Sequence, residues 1–123
     1  MSEYRVEFYK NSRTGREPVT DYMDSLRPKE RLKIVSQIIL LREKEGRLPE
    51  PYCKHVDGKI WELRIQFSPN KHRILYVTMS GKLIILLHAF TKKTAKIPPS
   101  ELSKAYSNYQ DVLLNLNQYN EKI

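Results

Sequence analysis

The stretch from Lys59 to Lys96, KIWELRIQFSPNKHRILYVTMSGKLIILLHAFTKKTAK, constrains the fold of this 123-residue chain more than any other part. Trp61, Leu63, Ile65 and Phe67 alternate with Glu62, Arg64 and Gln66, the two-residue period of a half-buried strand. Ser68-Pro69-Asn70 breaks that run. In the next run Arg73, Leu75 and Val77 oppose Ile74 and Tyr76, and Ser80-Gly81 marks a hairpin turn. Leu83 to Phe90 is apolar on both faces except at His88, which predicts a central strand covered on one side by helices. Three strands joined by two short turns make an antiparallel meander.

The flanks read as support for it. Tyr4, Val6 and Phe8 alternate with Arg5, Glu7 and Tyr9 in an N-terminal strand, followed by a turn over Asn11–Arg16. Pro18 opens a short helix carrying Val19, Tyr22, Met23 and Leu26 on one face. A second helix is predicted from Pro28 to about Glu45, with Leu32, Val35, Ile38, Ile39 and Leu41 as its apolar stripe and Gly46 as its stop. The two form a helical hairpin. Leu48–Cys53 reads as a loop. A last helix starts near Ser100-Glu101 and buries Leu102, Ala105, Tyr106, Tyr109, Leu113 and Leu116, and the polar end from Asn115 to Ile123 is expected to fray. The order β-α-α-β-β-β-α predicts one α+β domain spanning residues 1–123, a small sheet with helices on one face.

Charge narrows the function. The chain carries a net +8, and residues 54–96 hold nine Lys/Arg against two Asp/Glu, along with all three histidines. Seven of the eight net charges therefore sit on the meander. That is the footprint of a phosphate-bearing or acidic partner, against the alternative of a solvated basic face. There is no secretory signal, and the longest apolar run, Leu83–Leu87, is far short of the ~20 residues a membrane span needs. With Cys53 as the lone cysteine and so no internal disulfide, the expectation is a soluble cytoplasmic protein without a membrane partner.

The chain lacks the spacing of a metal site, since no HExxH or CxxC occurs, and its four glycines form no nucleotide-cradling loop. No cofactor is expected. What remains is a cationic set: Lys54, His55, Arg64, Arg73, His88, Lys92 and Lys93. Such a set suits metal-independent phosphoryl chemistry on RNA, where the 2′-hydroxyl is the nucleophile. Histidine or a depressed lysine moves the protons, and arginine steadies the phosphorane. Each member has a plainer reading. Arg64 pairs with Glu62 on a surface strand, His88 is a satisfied core histidine, Lys92-Lys93 are a solvated strand end, and His72, beside Lys71, is solvated. Trp61 and the tyrosines of the last helix read as core rather than as base-stacking platforms.

The pieces KIWELR, RILY and LLHAFTKKTAKIPPSEL together resemble the RelE/ParE toxin superfamily of type II toxin–antitoxin pairs, in its phage-derived, HigB-like branch. The resemblance runs from Tyr4 to about Leu113. It implies a microbial-RNase-like fold and a toxin that inhibits translation by cutting mRNA on the ribosome, with contacts to ribosomal RNA. It also implies neutralisation by a cognate helix-turn-helix antitoxin. By the same resemblance Arg73 contacts the scissile phosphate, and Lys54 and Lys93 (or Lys92) supply basic groups before the first and after the last meander strand. Glu62 and Arg64 stand where the best-known RNase members carry lysines. Pro99 falls near the C-terminal catalytic tyrosine of some members, which leaves His55 or His88 for proton transfer. Arg64, Lys59, Lys71, Lys92 and Lys96 complete the expected RNA-binding surface. A gyrase poison of the ParE type and a non-catalytic phage-derived binding protein are the alternatives, and the oligomeric state stays open.

Overall fold

The computed structural model describes residues 2–119. Proline stands at the start of each helix: α1 (Pro18–Asp24), α2 (Pro28–Glu43) and α3 (Pro99–Leu114). At that position its missing N–H has no intrahelical partner to lose, and its fixed φ is already helical. The strands are β1 (Arg5–Phe8), β2 (Cys53–Asp57), β3 (Ile60–Phe67), β4 (Asn70–Met79) and β5 (Leu83–Thr91). They form one sheet in the order β1-β5-β4-β3-β2. β2 to β5 run antiparallel, while β1 joins parallel to β5, so the sheet is mixed and the fold is α+β.

The predicted meander is present, and it gains a fourth strand. The segment after the Leu48–Tyr52 loop pairs with β3, placing Cys53 opposite Leu63 and Lys54 opposite Glu62. Charged and polar residues on this edge strand hide its periodicity in the sequence.

Helices cover both faces rather than one. α1 and α2 pack Val19, Met23, Ile34, Ile38 and Leu41 against Leu63, Ile65, Ile74, Tyr76 and Leu86. α3 packs Ala105 and Val112 against Ile60, Leu75, Val77, Ile85 and Leu87 on the opposite face. This explains why β5 is apolar on both sides: eight of its nine residues are buried between two helical layers.

The buried stripe of α2 also differs from the expected one. Ile34, Ile38 and Leu41 face the sheet, whereas Leu32 is 67% exposed and Ile39 46%. Ile38 and Leu41 belong to both stripes and Val35 packs partly buried on the same core, so the difference is that Ile34 is taken in while Leu32 and Ile39 are left outside. Apolar side chains encircle this helix, so periodicity alone does not choose between them. The expected fray does not begin at Asn115 either. Leu116–Gln118 forms a 3-10 turn, and Tyr119 is buried under β1, its hydroxyl accepting a hydrogen bond from the Lys10 N–H. The rest of that expected tail, residues 120–123, lies outside the described residues.

A bulge in β5 decides where His88 goes. Leu75 opposes His88 but Tyr76 opposes Leu86, so Leu87 is the extra residue. Strict alternation would turn His88 toward α1 and α2 with Leu86. It meets α3 instead.

Candidate nucleic-acid interface

On the α3 side of the sheet each meander strand changes character at the same level. Along β3 this face reads Ile60, Glu62, Arg64, Gln66. Along β4, backwards, it reads Val77, Leu75, Arg73, Lys71. The apolar half lies under α3, and the polar half is left uncovered. Register brings Arg64 opposite Arg73 and Gln66 opposite Lys71. Directly opposed like charges destabilise a sheet. Glu62 offsets this pair: its Oε1 accepts from Arg64 Nε at 2.7 Å, and its Oε2 lies 3.6 Å from Arg73 Nε.

This constellation is buried. Glu62 is 1% exposed and Arg73 8%. Arg73 Nη1 donates to the His72 carbonyl at 3.1 Å, while Arg73 Nε and Glu62 Oε2 have no hydrogen-bond partner. Unspent donor and acceptor capacity in a buried ion pair is uncommon. Burial pulls the Arg73 guanidinium below its ordinary value; Glu62 opposes this and Arg64 adds to it. Lys92 follows the same logic. Partial burial lowers it, Glu62 raises it, and the charges of Arg73, Arg64 and Lys54 lower it further.

Arg73 lines two cavities. One, of about 210 Å³, is walled by Tyr52, Gln37, Gln66, Arg64 and Lys33. The other, of about 400 Å³, is walled by Lys71, Lys92, Lys93 and Thr94. Arg73 is the residue the two cavities share, and the basic cleft is the pair of them on either side of it. The structure thus gathers Arg64, Lys71, Arg73, Lys92 and Lys93, and Lys54 is placed opposite Glu62 on β2.

It does not gather the rest. His55 is exposed on β2, opposite Trp61; its Nε2 lies 2.7 Å from the Gly58 carbonyl and its ring 5.2 Å from Trp61. The alternation that turns Lys54 toward Glu62 turns His55 away from it. His88 Nε2 lies 2.6 Å from Glu101 Oε1 on α3, and its ring stacks on Phe90. It borders a separate cavity of about 480 Å³ with Arg16 and Lys104. Lys59 sits in the β2–β3 turn, five residues from Arg64, roughly 17 Å along the strand. Lys96 is exposed beyond the cleft in the β5–α3 loop.

His72 is not solvated. It is 1% exposed, with Nε2 2.7 Å from Glu30 Oε2 and Nδ1 2.6 Å from the Tyr22 hydroxyl. Asn70 donates to the same Glu30 oxygen, so a polar network on the α1/α2 side braces the strand that carries Arg73. Cys53 is buried 3.3 Å from the Tyr76 hydroxyl, which donates to the Gly46 carbonyl; this is a structural thiol. Trp61 is half-buried, with the Arg47 guanidinium 3.8 Å over its ring.

Two participants escape the sequence reading. Glu62, set aside as a departure, is the hinge of the constellation. A signal was present: it is the only acid on β3, β4 and β5. Tyr52 gave none, because its place depends on how the Leu48–Tyr52 loop meets β3.

A family model, Phage derived protein Gp49-like (DUF891), matches residues 21–110. The chain belongs to this family. The match takes in the end of α1, all of α2, strands β2 to β5 and most of α3, and so every residue of the cleft. A search of curated proteins finds no match. Among the described residues of this Gp49-like protein no three His, Cys, Asp or Glu side chains cluster as a metal site, and no helix is long and apolar enough to cross a membrane.

Proposed function

We propose that this Gp49-like protein binds single-stranded RNA through the Arg73 cleft and cuts it, as the toxin of a type II toxin–antitoxin pair of the RelE/ParE kind. The observation that carries the reading is the buried Glu62–Arg64–Arg73 cluster at the junction of two basic cavities. An arginine fork matches the non-bridging oxygens of a phosphodiester, and partial burial strengthens that contact. In the reaction the 2′-oxygen bonds to phosphorus and the bond from phosphorus to the 5′-oxygen breaks. Arg73 and Arg64 stabilise the charge of the phosphorane between these events. Lys92, depressed by burial and by its cationic neighbours, donates a proton to the departing 5′-oxygen. Lys54, across from Glu62, takes the 2′-hydroxyl proton. Glu62 is too buried to touch substrate and acts by positioning the two arginines. The partner that neutralises such a toxin is a cognate helix-turn-helix antitoxin.

A second reading is binding without cleavage, and one observation favours it: His55 and His88, the expected proton carriers, lie outside the cleft. Induced expression separates the two. Growth arrest with codon-phased cuts on translated mRNA, lost in Lys92→Ala, supports the nuclease. RNA binding without cuts supports the second reading. Double-strand breaks trapped with gyrase would overturn both in favour of a topoisomerase poison.

A further inference from the structure

The two cavities that share Arg73 differ in chemistry, and the difference assigns them different parts of one strand. The smaller holds the aromatic ring of Tyr52, 49% exposed, and the amides of Gln37 and Gln66 beside Lys33 and Arg64. The larger holds Lys71, Lys92 and Lys93 and no aromatic residue. At about 210 Å³ the first is smaller than the ~300–1,000 Å³ that encloses a whole drug-sized ligand. It has room for one planar group.

The backbone of Tyr52 is held on both sides. Its N–H donates to the Pro49 carbonyl at 2.9 Å, and its carbonyl accepts from the Arg64 N–H at 2.8 Å. The same residue that clamps its backbone thus contributes a phosphate-binding side chain. With the backbone fixed at both ends, only the side-chain torsions of Tyr52 remain to be ordered when a base stacks on its ring. Amides carry both a donor and an acceptor, so Gln37 and Gln66 can read a base edge, which the ammonium groups across Arg73 cannot.

Resting on the RNA-binding reading above, we infer that the cleft is a polarised pair of subsites. One base stacks on Tyr52 and is read by Gln37 and Gln66; its phosphate lies at Arg73; the adjoining backbone runs over Lys71, Lys92 and Lys93. Tyr52, Gln37 and Gln66 therefore determine sequence preference, and the lysines determine affinity.

Fluorescence anisotropy of the full chain with labelled 2′-O-methyl oligo(A), oligo(C) and oligo(U), which cannot be cut, tests this. The wild type should prefer one of the three. Tyr52→Leu should weaken all of them by about tenfold or more, the size of one lost base–aromatic stack, and Tyr52→Phe should restore binding. Gln37→Ala with Gln66→Ala should bring the three affinities together. Lys93→Ala should weaken all three equally and lower the slope of log K against log salt by about 0.7. Tyr52, Gln37, Gln66 and Lys93 are exposed or half-exposed, so the variants keep the core intact. Wild-type binding that is indifferent to base and to Tyr52→Leu would overturn the subsites while leaving RNA binding in place. No binding of any strand by the wild type would overturn both.

Discussion

Replacing Glu62 with alanine tests the central physical claim, that the Arg73 cluster is buried and held by one carboxylate. The substitution removes the only anion in contact with two opposed arginines. Arg73, 8% exposed, is then left beside Arg64 with no counter-charge. Removing one partner of a buried pair is destabilising by roughly 3–5 kcal/mol. The lower end applies here, because the Arg64 side chain is 24% exposed and can turn toward water. A loss of about 3 kcal/mol is a large part of the roughly 6–18 kcal/mol expected for a domain this size. It corresponds to a fall in Tm of roughly 10–15 °C and, at about 2 kcal/mol per molar, a urea midpoint lower by about 1.5 M.

Urea unfolding followed by circular dichroism measures this, provided the slope m is unchanged. Glu62→Gln keeps the volume and an acceptor for Arg64 Nε, and should lose less. Glu62→Leu combined with Arg73→Met should recover most of the loss, since well-packed apolar side chains replace a buried pair at little cost. That double variant should be stable and unable to bind RNA, separating the cluster's structural effect from its function. If Glu62→Ala unfolds within about 1 kcal/mol of the wild type, the arginines are solvated in solution and the buried-cluster argument fails.

Four further outcomes follow. Arg73→Lys keeps the charge but not the fork, and should weaken RNA binding by about tenfold in a filter-binding assay while leaving the unfolding free energy from urea titration within roughly 1 kcal/mol of the wild type. Lys92 is depressed, so the folded state releases its proton before the unfolded state does: stability should rise with pH, and RNA affinity fall, over the range just below the ordinary lysine value, and Lys92→Arg should abolish both trends. Asp111 accepts from Tyr9 Oη at 2.6 Å, from Ser12 N and Oγ at 2.9 and 2.6 Å, and from Asn115 Nδ2 at 2.9 Å; burial alone would raise its pKa, but these bonds outweigh it and hold it low. Its stabilisation should be full above the unfolded carboxylate range and vanish as pH falls through the folded value, and Asp111→Ala should remove about 2 kcal/mol at neutral pH by urea titration. Gly46→Ala should lower stability by at least roughly 1–2 kcal/mol on thermal unfolding, because φ is +94° there and a Cβ would meet Thr78 Oγ1 at 2.9 Å.

The sequence disclosed what alternation and punctuation can disclose. The meander, the N-terminal strand, the two-helix hairpin and the last helix all follow from period and from Pro and Gly placement. β2 did not, because an edge strand facing solvent carries no apolar rhythm. The second helical layer was hidden because a strand buried on both faces looks the same whichever helices cover it. The expected helix stripe omits Ile34 and wrongly includes Leu32 and Ile39, because α2 is apolar around most of its circumference.

The cleft was half legible, and the missing half is a matter of register. Charge counting confined the site to residues 54–96, but it could not say which cations meet. Arg64 and Arg73 are nine residues apart in sequence and are brought together only because β3 and β4 turn at Ser68-Pro69 and pair Phe67 with Asn70. Shifting that register by one residue would set Arg64 against His72 or Ile74 and send one set of side chains to the other face. The histidines lie outside the cleft for the same reason. His55 is one residue from Lys54 and therefore points away, and His88 is carried to α3 by a single extra residue in β5. The fold thus sorts its basic residues by parity and by one bulge. An engineered deletion of Leu87, which restores strict alternation, should leave His88 on the α3 face in the place of Leu87 and keep its contact with Glu101. Since Arg73 and Lys92 keep their positions, RNA binding should survive in whatever fraction folds. Loss of binding by folded protein, judged by a native-like tyrosine and tryptophan near-ultraviolet spectrum, would show instead that the cleft depends on the bulge.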